Sequence, residues 1–186
     1  MTRNALLYLV VAVLALAACG DRKETAATKT AVAPAPAVPA APATATSYAA
    51  TLAEGITFSK PGYPEFISKV AGISNEEAFG RWTDGPKAVL EFKEPLPRKF
   101  DLIIQGAAYG PNVGQPIQVT TGSVSREISF DGDLTIGPQI KRVTFDLPQA
   151  ANSIEFLIPH PTQPSNGDVR KLGIALVDLK IEAAAR

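Results

Sequence analysis

The sequence predicts an all-β chain built around an antiparallel two-sheet β-sandwich, jelly-roll-like in its connectivity. Three observations predict it. Beyond about residue 55, apolar residues recur with a period of two rather than 3.6. The alternating runs are short, and Gly, Pro, Asn and Asp clusters separate them at near-regular spacing. No long amphipathic helical segment interrupts the series.

The elements follow in order. Ala88, Leu90 and Phe92 alternate with Lys87, Glu91 and Lys93, although Val89 breaks the outer face. Phe100, Leu102 and Ile104 alternate with Asp101 and Gln105, and Ile117 and Val119 with Gln118 and Thr120. Val124, Ile128 and Phe130 oppose Ser125, Glu127 and Ser129; Val143, Phe145 and Leu147 oppose Arg142, Thr144 and Asp146. Ile154, Phe156 and Ile158 face away from Ser153 and Glu155. Asp84-Gly85-Pro86, Pro95-Leu96-Pro97, Gly110-Pro111-Asn112, Asp131-Gly132-Asp133 and Asn166-Gly167 supply the turns. Residues 65–71 and 75–79 read as short turns. The closing run from Leu172 to Glu182 is apolar on both faces at first and one-sided at its end. That is the pattern of a long strand inside a sheet, and its expected partner is the first strand near Ile56 to Ser59.

The N-terminus reads as an export signal. Arg3 precedes an unbroken apolar run from Ala5 to Ala15. The run is signal-peptide length, well short of the about 20 apolar residues of a membrane span. It ends in Leu16-Ala17-Ala18-Cys19-Gly20, which resembles the lipobox of bacterial lipoproteins. The resemblance implies a diacylglycerol thioether on Cys19, cleavage before it, and a mature chain anchored to a membrane by its acyl chains. Each buried CH₂ adds about 0.8 kcal/mol, so two or three chains hold durably where one does not. Position 20 is Gly rather than Asp, which favours sorting to the outer membrane over retention at the inner one.

Behind Cys19 the composition shifts to Ala, Pro and Thr, as in Ala31-Val32-Ala33-Pro34-Ala35-Pro36. Such a segment has too little bulky apolar surface to offset its ordering entropy. Its prolines favour polyproline II, so about 35 residues reach roughly 100 Å when fully extended. The domain reading is therefore a signal peptide over 1–18, a lipidated cysteine with a disordered tether over 19–54, and a sandwich over 55–186. A proline-motif ligand role for the tether is the rival reading.

Charge and composition exclude several classes. Signal cleavage removes only Arg3 and leaves 17 basic against 18 acidic residues. No basic stripe exists to follow a phosphate backbone, so nucleic acid is not an expected partner. Cys19 is the only cysteine, which rules out an intrachain disulfide. His160 is the only histidine and sits between two prolines, so no zinc set is visible and no cofactor is expected. Asp131 and Asp133 read first as turn residues, with calcium ligation the alternative. Glu76 and Glu77 are adjacent in sequence, whereas glycosidase carboxylates need a set separation in space.

Several segments together resemble one known module. They are Gly72-Ile73-Ser74, Glu77, Gly80-Arg81-Trp82-Thr83, Pro95-Leu96-Pro97, Ala108-Tyr109-Gly110-Pro111-Asn112, and Asp168-Val169-Arg170-Lys171-Leu172-Gly173 running on to Leu176. Their order is similar to the C-terminal accessory domain of bacterial phosphoglycerol transferases, which modify osmoregulated periplasmic glucans. The resemblance implies a non-catalytic sandwich like a carbohydrate-binding module. The transferase's own metal-binding Asp and His clusters have no counterpart here.

Sugar recognition needs an aromatic face for the C–H side of a ring and a few planar polar groups for its hydroxyls. The candidate glycan-binding residues are Glu77, Arg81, Trp82, Tyr109, Asn112, Asp168 and Arg170. Each has a structural alternative. Trp82 is either core or ligand platform, Arg81 and Arg170 can stitch loops through Glu77 or Asp168, and Tyr109 can bond a neighbouring backbone group. Three functions follow as expectations: a lipid-anchored, periplasm-facing glycan binder, a subunit of a phosphoglycerol transferase, or an envelope scaffold that binds a protein.

Overall fold

The computed structural model describes residues 47–184. The expected signal peptide, Cys19 and most of the expected tether lie outside these residues. Within them the chain is all-β, as the periodicity predicts. Among the described residues no helix is long and apolar enough to cross a membrane.

The described residues form twelve strands: β1 (Ser47–Tyr48), β2 (Ile56–Thr57), β3 (Tyr63–Pro64), β4 (Ile67–Ala71), β5 (Arg81–Asp84), β6 (Lys87–Phe92), β7 (Lys99–Ala108), β8 (Ile117–Thr121), β9 (Val124–Ile128), β10 (Gln139–Asp146), β11 (Ser153–Leu157) and β12 (Leu172–Ala183). One sheet runs β10-β7-β12-β2, and β5 joins β12 on the same side as β2, beyond it along the strand. The other runs β4-β6-β11-β8-β9. Both are antiparallel throughout. Successive strands from β6 onward alternate between the sheets apart from the β8–β9 hairpin, which is jelly-roll-like connectivity. β1 and β3 form a separate two-residue parallel pair.

The core lies between the two sheets. Ala88, Leu90 and Phe92 from one sheet meet Phe100, Leu102, Ile104, Leu176 and Leu179 from the other, all buried. Phe100 and Phe145, cross-strand partners in β7 and β10, stack at 5.2 Å. The closing strand pairs with Ile56 and Thr57, as its apolar pattern predicts.

Two regions depart from the sequence reading. Residues 67–71, expected as a turn, form the edge strand β4, whose partner β6 supplies the pairing that composition does not reveal. Residues 47–54, assigned to the tether by composition, take part in the domain. Ser47 and Tyr48 pair with Tyr63 and Pro64, Leu52 packs against the core, and the Leu52 carbonyl accepts the Ile181 N–H. The backbone partner that β12 supplies through Ile181, the core under Leu52 and the pairing with β3 fix this stretch.

Between Leu176 and Asp178 the register of β12 against β7 shifts by one residue. Leu176 and Leu179 both point into the core across this bulge, while Ala175, Asp178, Lys180 and Glu182 share the outer face. That outer face carries the candidate site.

Candidate functional site

β5 divides the expected residues between two environments. Its residues alternate, so Arg81 and Thr83 face the second sheet and Trp82 faces outward. Thr83 is buried, and its Oγ1 accepts the Ile174 N–H.

Arg81 is almost wholly buried and committed to the protein. Its guanidinium donates to the carbonyls of Phe58, Lys60, Gly62 and Ser74, and it pairs with Glu76 at 2.9 Å. It also stacks over Tyr63 at 4.7 Å. Burial pushes the Tyr63 phenol up to about 12, against the opposing effect of the guanidinium. The expected Arg81 pairing with Glu77 or Asp168 is replaced by Glu76, because β5 turns Arg81 inward, away from those loops. Asn112 is likewise buried. Its Nδ2 donates to the carbonyls of Tyr109 and His160, and its Oδ1 accepts the His160 N–H. Both residues pin loops with all their polar atoms and present nothing to a ligand. His160 contributes its backbone here, and its side chain is exposed.

The other five expected residues converge on the outer side. Trp82 is 8% exposed, yet it lies outside the main core. It packs on Ala107 and Ala175, its neighbours across the sheet, and on Leu172. Phe79 and Tyr109 meet it edge-on, at 5.3 and 5.5 Å, and both are half-buried. The choice between core and platform therefore resolves into a layer. Trp82 is the floor, and the rings of Phe79 and Tyr109 form the surface.

Gly80 makes this layer possible. It adopts φ +149°, and a Cβ there would collide with the Leu176 carbonyl oxygen. The hairpin bonds between Glu77 and Gly80 then place Phe79 beside Trp82 and Glu77 at the rim.

At that rim Arg170 joins two loops. It binds Asp168 through Nε at 3.0 Å and Nη2 at 2.6 Å, and Glu77 through Nη1 at 2.8 Å. These bonds, led by the one to Asp168, raise the basicity of the guanidinium. The same contacts hold the Asp168 carboxyl below its ordinary range. One guanidinium thus bridges both carboxylates and fastens the two loops to each other.

Phe79 and Leu134, which packs on the same cluster, escape the sequence reading. Phe79 stands two residues after Glu77, on the side of the hairpin that Gly80 turns toward Trp82. Leu134 follows Asp133, whose carboxylate accepts the Thr135 N–H, while Asp131 pairs with Lys141 at 3.0 Å. Among the described residues no group of three His, Cys, Asp or Glu side chains is placed to hold a metal ion. A cavity of about 350 Å³ lies apart from the cluster, between Ser47, Tyr63 and the edge strand β4, and none of the seven expected residues lines it.

Fold and patch together define a small β-sandwich domain with an aromatic, ion-paired patch on the outer face of one sheet. The chain belongs to the family described as Domain of unknown function (DUF7024), whose model matches residues 43–183. Curated relatives include phosphoglycerol transferase I of Escherichia coli strain Crooks, 35% identical over 69% of this chain, and that of Shigella boydii serotype 18, 34% identical over the same share. The resemblance read from the ordered motifs is thus matched by homology. The chain spans 17% of the length of these relatives. Among solved structures, a point mutant of the family 29 carbohydrate-binding module CBM29-2 aligns with a TM-score of 0.47 at 10% identity, covering 69% of this chain and 89% of that one.

Proposed function

We propose that this chain is a non-catalytic glycan-binding module of the cell envelope, held to a membrane by lipid on Cys19. The observation that carries the binding role is the outer layer itself. Two half-exposed aromatic rings rest on a buried tryptophan, beside a guanidinium held by two carboxylates. Rings supply apolar faces for sugar C–H groups, and the fixed ion triad supplies directional hydroxyl partners without side-chain ordering on binding. Kinship with part of a phosphoglycerol transferase supports osmoregulated periplasmic glucan as the ligand class. Trp82, Tyr109, Glu77, Asp168 and Arg170 form the site, with Phe79 added; Arg81 and Asn112 support it.

Calorimetry of the full chain with osmoregulated periplasmic glucan tests this. Saturable binding is expected, and Tyr109→Ala should weaken it about tenfold while preserving the fold, as checked by thermal unfolding. Trp82→Ala is the poorer probe, because removing a buried floor disturbs packing as well as contact. No binding at millimolar glucan overturns the reading. A second reading, that the chain is a working part of a phosphoglycerol transferase, is favoured by the same kinship. Transfer of phosphoglycerol to glucan by the pure chain would replace the non-catalytic reading with this one.

A further inference from the structure

Beside the aromatic layer, on the same outer face, lies a cleft of about 170 Å³ that no expected residue lines. Gln105 and Ile103 of β7 form its floor together with Asp178 and Lys180 of β12, while Ile140 of β10 and Glu182 flank it. Side-chain parity makes the cleft continuous with the layer. Tyr109 is extended, at φ −115° and ψ 131°, so Tyr109, Ala107, Gln105 and Ile103 fall on one side of a single backbone line. Across the sheet Ala107 faces Ala175, and Gln105 faces both Asp178 and Ile140. From Tyr109 to Ile103 this line runs about 20 Å.

The chemistry of the cleft is that of a hydroxyl-rich, uncharged ligand. It is smaller than the about 300–1,000 Å³ of an enclosed small-molecule pocket, so it suits a unit of a chain lying across it. Asp178, Glu182 and the adjoining Asp101 are interspersed with Lys180 and with Arg142, which bonds Glu182 at 3.4 Å and Asp101 at 2.9 Å. With both signs present, no strong field of one sign calls for an ionic partner. Gln105 adds an amide that both donates and accepts. Ile140, 67% exposed, and the half-buried Ile103 offer aliphatic surface beside these polar groups.

We infer that this cleft is an extension subsite, and that the face binds several consecutive sugar units of a glucan chain rather than one terminal sugar. The inference rests on the glycan reading above and names the extent of its site. The Tyr109–Phe79 surface takes one ring, and the Gln105–Asp178–Lys180 cleft takes units further along the same chain.

A size-fractionated partial hydrolysate of osmoregulated periplasmic glucan, titrated into the full chain, tests the inference. Affinity should rise at least about tenfold between fragments of one or two units and fragments of four or more. The paired variant Gln105→Ala, Lys180→Ala should lose that gain and bind short fragments as wild type does. Its side chains lie on the surface, so its melting temperature should match wild type. The Gln105 side-chain amide resonances should shift with long fragments and stay put with short ones. Length-independent affinity, or an unchanged gain in the paired variant, overturns the extension subsite and leaves the Tyr109 site standing. Failure of every fragment to bind wild type overturns the glycan reading itself.

Discussion

Arg81 and Arg170 carry the same guanidinium into opposite surroundings, and the difference sets what each is worth. Arg81 satisfies four carbonyls, that of Phe58 buried and the others partly so, and a carboxylate. Arg81→Met strands those acceptors and should cost about 3 kcal/mol in denaturant unfolding. Arg170 lies in a partly exposed ion network, where pairs are worth about 1 kcal/mol or less. Arg170→Met should leave stability within about 1 kcal/mol of wild type while weakening glucan binding, read by calorimetry on the same samples. The sequence names both arginines as candidates but not their division of labour. The parity of β5 decides it: one residue away from Trp82, Arg81 must point to the opposite side. Asn112 hides in the same way, because its partner His160 stands 48 residues away and no local pattern links them.

The strands divide by how much of their pairing is visible locally. β6, β7, β8, β10 and β11 carry alternation, interrupted by Val89 in β6 and by Ile103 in β7, and all five are legible. β4 and the short β1, β3 and β5 depend on distant partners, and their composition gives little sign of a strand. β12 is legible in more detail. Its two-sided apolar start is where Trp82 and Leu172 cover the outer face, and its one-sided end is where Asp178, Lys180 and Glu182 meet solvent. β5 reaches this sheet through Gly80, whose approach to the Leu176 carbonyl admits no side chain. Gly80→Ala should destabilise the domain by about 3 kcal/mol, measured by thermal unfolding. Because the displaced hairpin carries Phe79, it should also weaken glucan binding in conditions where the variant remains folded.

At the scale of the whole molecule, the proposed lipid anchor and the proposed binding face are separable. Cys19→Ser should move the protein from the membrane fraction to the soluble fraction on cell fractionation, with glucan affinity unchanged. Retention in the membrane fraction would remove lipid anchoring from the reading. At its bulge β12 absorbs one extra residue, Val177, without exchanging its two faces. Loss of the Val177 codon in frame would pair Leu176 and Asp178 with consecutive residues of β7, so Leu179 and Ile181 would keep the core and Asp178 and Lys180 the outer face. The cost would be the bond that the Val177 carbonyl accepts from the Phe58 N–H. The bulge is therefore a point where the strand can shorten by one residue and still present the same face. In related genes, a difference of one codon should be found here more readily than elsewhere in β12.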